Sequence, residues 1–190
     1  MILRIDHVAI AVRDYEKAYN FFTKLFGALP GSYSVDQNMK YRWQLFAMGD
    51  LSRFEILNPT GTGSFLDNFL TDRDGGMHHI TMQTADIKKA VNILKKNGIP
   101  YFGHHEYGKI WKEVFIHPRD AFGVLIQIAE FNPSDWLPHS LVMEGDKKIQ
   151  VKRSKSGCSL TFSHPGGGKV TMNISREEAR ELAETLIKEE

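Results

Sequence analysis

Hydrophobic and polar positions in the first 131 residues follow a pattern that occurs twice. Runs rich in Val, Ile and Ala predict one strand over 3–12 and a second over 77–84. An aspartate and a spaced set of apolar residues follow each run, which predicts amphipathic helices capped by Asp14 and Asp86. Residues 28–40 form a predicted polar loop, and further strands are expected over 41–48, 52–58, 99–104, 110–116 and 122–130.

The order strand, helix and three strands is therefore expected in two copies, about 1–60 and 75–131. His7 and His79 stand 72 positions apart, and at the same offset Glu55 corresponds to Gln127. Two metal-capable pairs at one constant offset indicate a duplicated module. A single βαβββ copy would leave one face of its sheet exposed, so we expect the two copies to pair. The predicted class is α+β, with paired βαβββ modules forming a cupped mixed sheet.

The pattern changes after residue 131, so we predict a C-terminal extension over 132–190. It begins with a predicted linker over 132–138 and continues as a hairpin over 147–174, with its turn at Gly166-Gly167-Gly168. Ser175-Arg176-Glu177-Glu178 is a capping box that opens a helix. Its apolar stripe is expected to bury against this domain or a second subunit, and consists of Ala179, Leu182, Ala183, Leu186 and Ile187.

Composition narrows the classes of partner. The net charge is +1, from 24 Lys and Arg against 23 Asp and Glu, which gives no reason to expect nucleic acid or an anionic membrane. No apolar run approaches the ~20 residues of a membrane helix. Cys158 is the only cysteine, so an internal disulfide is excluded and a reducing, cytoplasmic location is expected.

The repeated positions carry the chemistry. His7, Glu55, His79 and Gln127 lie on four separate predicted strands and can converge at the bottom of the cup. Two imidazoles, one carboxylate and one amide oxygen suit a divalent first-row ion such as Zn, Ni, Co, Mn or Fe. Each histidine alone would be interpreted as a hydrogen-bonded core residue. Glu55 within an apolar run is harder to explain without a partner, because a buried unpaired carboxylate is costly.

Five sequence blocks within residues 1–131 have a characteristic composition: Ile5–Val12, Phe54–Pro59, Gly76–Ile80, Phe115–Pro118 and Gly123–Gln127. They resemble the vicinal oxygen chelate (glyoxalase, bleomycin resistance and dioxygenase) superfamily, and among its members the methylmalonyl-CoA epimerases most. The resemblance implies the superfamily fold, the four metal positions His7, Glu55, His79 and Gln127, and a small substrate such as a CoA or glutathione thioester.

Two departures from the family pattern concern its glutamates. The family usually has Glu where this chain has Gln127, and often Gln where it has Glu55. The ligand types are thus exchanged between the two halves. A further family glutamate is a proposed catalytic base, and our alignment places Gln44 at that position. An amide cannot accept a proton as a base.

Three functions remain open from the sequence. The leading one is a metal-dependent isomerase, epimerase or lyase that acts on a carbonyl or thioester through a stabilised enolate, with Glu55 as a ligand that can act as base. The second is a non-haem Fe(II) extradiol-type dioxygenase using two histidines and Glu55. The third is a non-catalytic protein that binds a small ligand. A homodimer is expected in each case.

Overall fold

The computed structural model describes residues 2–48, 52–132, 149–163 and 169–187. These residues form two compact units, the first ending at 132 and the second beginning at 149. The predicted turn at Gly166-Gly167-Gly168 lies outside the described residues, as do the connection between the strands predicted over 41–48 and 52–58 and most of the predicted linker.

The first unit contains two βαβββ copies joined by a short helix. The first copy consists of β1 Ile2–Val12, α1 Tyr15–Asn20, β2 Leu29–Asp36, β3 Tyr41–Met48 and β4 Ser52–Pro59. The connecting helix is α2, Leu66–Leu70. The second copy consists of β5 Gly75–Thr84, α3 Ile87–Lys96, β6 Phe102–Tyr107, β7 Trp111–Ile116 and β8 Leu125–Glu130. This is the predicted α+β arrangement.

All eight strands belong to one curled sheet in the order β2-β3-β4-β1-β5-β8-β7-β6. The first strands of the two copies, β1 and β5, are antiparallel neighbours at its centre, and Val8 pairs with Ile80. These two residues occupy the same position in their copies, so a pseudo-twofold axis passes between them. On either side β1 pairs in parallel with β4, and β5 pairs in parallel with β8.

The two faces of this sheet differ in what covers them. Helix α3 buries Ile87, Val91 and Leu94 against one face, together with Val114 and Ile128. Residues of α1 pack on the same face of the first copy. The opposite face forms the cup, whose apolar wall near α2 contains Ala9, Ala11, Leu57, Leu66 and Leu70.

The polar loop predicted over 28–40 is wrong, because Leu29–Asp36 is strand β2. Among the strands that the structure describes, β2 lies at the edge of the sheet and pairs with β3 alone, with a register irregularity between Pro30 and Tyr33. Pro and Gly are tolerated at such an edge, since the backbone there has a partner on one side only. The polar composition reflects an edge strand, which periodicity alone does not distinguish from a loop.

The second unit has one more strand than the predicted hairpin. Strands β9 Ile149–Arg153, β10 Gly157–Ser163 and β11 Lys169–Ser175 form an antiparallel sheet with β10 in the middle. The capping box of α4, Arg176–Ile187, is present: the backbone amides of Ser175 and Glu178 each donate to the other's side chain. Within the described ranges, no helix is long and apolar enough to cross a membrane.

Removal of the α3 cap is expected to destabilise the first unit moderately. The Asp86 side chain accepts a 2.9 Å hydrogen bond from the Lys89 amide and satisfies one free donor of the first turn. Asp86→Ala should lower the free energy of unfolding by about 0.5–2 kcal/mol in urea denaturation. The exposed helix variant Lys88→Ala should change it by less than about 0.5 kcal/mol. Equal effects of the two changes would contradict this role.

Candidate metal centre

Three side chains from three strands meet at the bottom of the cup. His7, Glu55 and His79 each offer one ligand atom, and these atoms all lie within 4.8 Å of one another. Glu55 Oε2 is 3.8 Å from His7 Nε2 and 3.6 Å from His79 Nε2. All three residues are buried, with 3% to 8% of their surface exposed. The structure therefore brings together three of the four predicted ligand positions as one cluster.

The register of the central strands explains this convergence. Ala9 of β1 lies between Glu55 on β4 and His79 on β5. The alanine side chain is small, so the longer side chains on either side can approach one another above it. The equivalent position in the second copy is Thr81, which lies between His7 and Gln127. Its hydroxyl contacts both neighbours, so the two halves of the centre are not chemically alike.

His7 is oriented by the residue that precedes it. A register irregularity in β1 between Ile5 and His7 accompanies the buried Asp6, whose Oδ2 is 2.7 Å from His7 Nδ1. A carboxylate on Nδ1 fixes the tautomer and the ring, and turns Nε2 toward Glu55. This carboxylate–histidine arrangement is common behind metal-binding imidazoles.

Asp6 is in turn held by buried positive charge. Arg53 Nη2 donates to both carboxylate oxygens at 2.5 and 2.6 Å, and Arg4 Nη2 donates to Oδ1 at 2.7 Å. Burial alone would raise the pKa of Asp6, but the His7 hydrogen bond and the Arg53 guanidinium outweigh it and lower the pKa to about 2. Asp6 is therefore ionised behind His7.

His79 directs its Nε2 at the cluster. Its Nδ1 lies 3.0 Å from His78 Nδ1, whereas its buried Nε2 makes no hydrogen bond of normal geometry among the described residues. Burial, with further effects of His7 and His78, outweighs the opposite effect of Gln127 and keeps the pKa of His79 well below its usual value, so the ring is neutral. If the Nδ1 proton resides on His79, its Nε2 carries a lone pair directed at Glu55, as metal binding requires.

Glu55 has an environment that favours its protonated form. Burial raises its pKa to about 7, and the charge of Glu113 adds to this, while His7 and Arg53 act in the opposite direction. A carboxylate with a pKa in this range can both accept and release a proton near neutral pH.

Gln127 is linked to this group through hydrogen bonds. Its Oε1 accepts from Thr81 Oγ1 at 2.5 Å, and the same hydroxyl lies 2.8 Å from His7 Nε2. Its Nε2 donates to Glu113 Oε2 at 2.7 Å. The amide oxygen of Gln127 is therefore the atom on the side of His7.

Gln44 does not join the cluster. It pairs with Ile56 on β4, whereas Glu55 pairs with Leu45, so Gln44 and Glu55 lie on opposite faces of the sheet. Gln44 Nε2 donates to the carbonyl groups of Gly31 and Leu45, and its Oε1 accepts a 3.3 Å bond from Tyr15 on α1. The structure therefore does not place Gln44 in the catalytic centre. Adjacent residues of a strand project to opposite faces, so a residue one position away from a cup-facing one lies outside the cup.

The residues that support the cluster were not identified from the sequence pattern. Asp6 stands beside His7, and His78 beside His79, but the β1 irregularity and the contact between the two rings are not visible in a sequence. Glu113 has a weaker signal than Glu55, since it stands between Lys112 and the apolar run Val114–Ile116. Its burial depends on the pairing of β7 with β8.

The cluster fits a divalent first-row ion. It offers two imidazole nitrogens and a carboxylate, which is a common donor set for such ions. The buried Nε2 of His79, which makes no hydrogen bond within the part of the chain that the structure describes, supports this fit independently, because buried polar atoms are normally hydrogen-bonded. An ion in contact with this nitrogen would satisfy it.

Comparison with known proteins gives consistent results. Residues 6–115 match the model of the glyoxalase, bleomycin resistance protein and dioxygenase superfamily. Human mitochondrial methylmalonyl-CoA epimerase is 36% identical over 130 residues, which cover 67% of this chain and 73% of the relative. The ethylmalonyl-CoA/methylmalonyl-CoA epimerase of Cereibacter sphaeroides is 35% identical over 134 residues, which cover 68% of this chain and 99% of the relative.

Solved structures show the same fold. Methylmalonyl-CoA epimerase from Mycobacterium tuberculosis superposes with a TM-score of 0.63 at 25% identity, over 70% of this chain and 91% of that one. A Streptomyces coelicolor methylmalonyl-CoA epimerase variant in complex with 2-nitronate-propionyl-CoA superposes with a TM-score of 0.62 at 25% identity, over 69% and 99%. The predicted vicinal oxygen chelate fold is confirmed, and the chain belongs to the glyoxalase, bleomycin resistance protein and dioxygenase superfamily.

Proposed function

We propose that this chain is a metal-dependent epimerase of a CoA thioester, with a substrate of the methylmalonyl-CoA type. Relatives at 35% to 36% identity are epimerases of such thioesters and support an epimerase-like function, as predicted from the sequence. The observation that carries the proposal is the cluster of His7, Glu55 and His79, in which the buried Nε2 of His79 makes no hydrogen bond to any described residue.

His7, Glu55 and His79 would hold the ion, with the amide oxygen of Gln127 nearby. A bound divalent ion would act as a Lewis acid toward the thioester carbonyl and make the neighbouring carbon more acidic. This donor set suits Zn, Ni, Co, Mn and Fe alike, and elemental analysis of the purified protein would identify the ion.

Glu55 is the residue we propose to move the proton of the α-carbon. Without an ion, burial raises its pKa to about 7. As a base, Glu55 would leave the ion and accept the proton through the released carboxylate oxygen. Removal of a proton from one face of the α-carbon leaves an enolate, and Glu55 inverts the configuration by returning the proton after the enolate has turned its other face toward it. Glu55 lies against His7 and His79, so the proton would be handled beside the carbonyl oxygen rather than in bulk water.

The walls of the cup would exclude water from this step. Ala9, Ala11 and Leu57 are buried beside the cluster, and Trp43 and Phe69 pack against them. A non-polar wall strengthens the electrostatic interactions of the few polar groups inside it. The complex of the Streptomyces coelicolor relative with a propionyl-CoA derivative supports an acyl-CoA as the class of substrate.

The experiment is exchange of the α-proton in D₂O. Protein loaded with each first-row ion in turn is expected to incorporate deuterium at the α-carbon of methylmalonyl-CoA, detected by NMR together with interconversion of the two epimers. Glu55→Gln should lower the exchange rate about 10²–10⁴-fold, as for loss of a general base. Absence of exchange by protein with stoichiometric bound metal would contradict the proposal.

The dioxygenase alternative uses the same three side chains, since two histidines and one carboxylate can hold Fe(II) with open positions. The relatives described above are epimerases, which does not favour it. Oxygen uptake with catechols by iron-loaded protein would support it.

The non-catalytic alternative depends on Gln44 standing at the position of a base. It loses that motive, because Gln44 lies on the other face of the sheet.

We also propose a homodimer and a cytoplasmic location. The exposed apolar residues Leu182, Leu186 and Ile187 of α4 support a further contact surface. Sedimentation of the full chain would test the dimer. The single cysteine, Cys158, supports a reducing compartment.

A further inference from the structure

A second buried carboxylate faces the cup and has no part in the steps above. Glu113 lies on β7 next to β8, and only 8% of its surface is exposed. Its Oε2 accepts 2.7 Å hydrogen bonds from Gln127 Nε2 and from Trp111 Nε1. His105 Nδ1 lies 3.5 Å from its Oε1. Three polar groups therefore surround an acid that the fold alone does not require.

The contact with Glu113 determines which way the amide of Gln127 points. A carboxylate accepts hydrogen bonds and cannot donate when ionised, so the NH₂ group of Gln127 must face it. The amide oxygen is then on the opposite side, where it accepts from Thr81 beside His7. Only this oxygen can bind a cation, since the amide nitrogen is a donor without a free lone pair.

We infer that Glu113 is a positioning residue that holds the Gln127 oxygen toward the metal cluster of His7, Glu55 and His79. The inference rests on the proposed metal centre and deepens it. The second copy thus supplies its carboxylate, Glu113, from β7. The position equivalent to Glu55 lies on β8 and is occupied by Gln127. The pair Glu113–Gln127 thus places an uncharged ligand at the ion and one negative charge behind it.

The charge of Glu113 acts on other groups of the cup. The charge of Glu113 contributes to the raised pKa of Glu55, and also to that of Tyr41, for which burial is the main cause. Both groups lie on the first half of the chain, whereas Glu113 belongs to the second. Glu113 therefore acts across the cup and not only on its neighbours in the sheet.

Exchange of the two side chains separates positioning from a merely structural role. In Glu113→Gln, an amide faces an amide, and Gln127 can adopt either orientation. In the double variant Glu113→Gln with Gln127→Glu, residue 113 donates to residue 127, which reverses the bond between them. After its amide turns, the oxygen of residue 113 can still accept from Trp111, as Glu113 Oε2 does in the original chain. The carboxylate then lies at position 127, where it can accept from Thr81 beside the cluster.

Affinity for Zn²⁺ or Co²⁺ alone, without substrate, is the measurement. Glu113→Gln is expected to weaken binding about 10–100-fold, the usual cost of losing an outer-sphere partner, and to alter the Co²⁺ absorption spectrum. The double variant should bind at least as tightly as the original chain. Glu106→Gln, an exposed glutamate on neighbouring β6, should have no effect.

Unchanged affinity and spectrum in Glu113→Gln would overturn the inference, as would a double variant as weak as the single one. If the single variant fails to fold, a crystal structure of the original chain with bound metal tests the inference instead. Gln127 Oε1 toward the ion supports the inference, and Glu113 itself bound to the ion overturns it. Because no substrate is used, failure of α-proton exchange with normal metal binding would overturn the proposed reaction and leave this inference intact.

Discussion

Replacement of His79 with alanine is expected to abolish metal binding and α-proton exchange together. His79 contributes the buried Nε2 that has no other partner among the described residues, 3.6 Å from Glu55 Oε2. Loss of a ligand should exceed the roughly 10–100-fold cost of losing an outer-sphere partner. A metal ion contributes several kcal/mol to charge stabilisation, so exchange should fall by at least about 10³-fold. Equilibrium dialysis and NMR in D₂O measure the two effects.

The matched control for this variant is His104→Ala. His104 is an exposed histidine on β6, and its ring contacts only Glu106 in the contacts described for it. This change should leave both metal affinity and exchange unaltered. Retention of full metal affinity in His79→Ala would show that the cluster is a hydrogen-bonded core feature and not a ligand set.

Asp6→Asn is expected to destabilise the first unit strongly. Arg53 is buried, and its Nε and Nη1 have no hydrogen-bond partner among the described residues, so Asp6 is its main source of compensation. An asparagine brings an NH₂ group toward the donors of Arg53 and His7, and leaves a buried positive charge unpaired. Breaking such a pair costs about 3–5 kcal/mol, which urea denaturation of the metal-free protein would detect.

Two further variants make the Asp6 prediction specific. Asp72→Asn, at an exposed position, should change the free energy of unfolding by less than about 0.5 kcal/mol. Combining Asp6→Asn with Arg53→Met should recover much of the loss, because the unpaired charge is then removed. A loss below about 1 kcal/mol in Asp6→Asn, or no recovery in the double variant, would contradict the pairing.

The duplicated scaffold could be predicted from sequence because it depends on local pattern. Histidines at a fixed offset, helices capped by Asp14 and Asp86, and β-branched runs all follow from local side-chain preferences. The same offset placed His7, Glu55 and His79 in one centre. Side chains at equivalent points of paired modules must meet near the pseudo-twofold axis.

What could not be predicted depends on register and on neighbours across the sheet. Gln44 was assigned to the cup by alignment, but strand pairing with Ile56 places it on the helix-covered face. The role of Glu113 depends on its position beside Gln127, which only the β7–β8 pairing defines. The sequence shows that Ala9 corresponds to Thr81. Only the strand register shows that Ala9 lies between Glu55 and His79, and Thr81 between His7 and Gln127.

The most direct test of the metal centre is an anomalous difference map of crystals grown from protein loaded with one first-row ion. One peak per chain is expected, in contact with His7 Nε2, His79 Nε2 and a carboxylate oxygen of Glu55. A map without a peak among these three side chains, from protein that binds the ion stoichiometrically, would contradict the account.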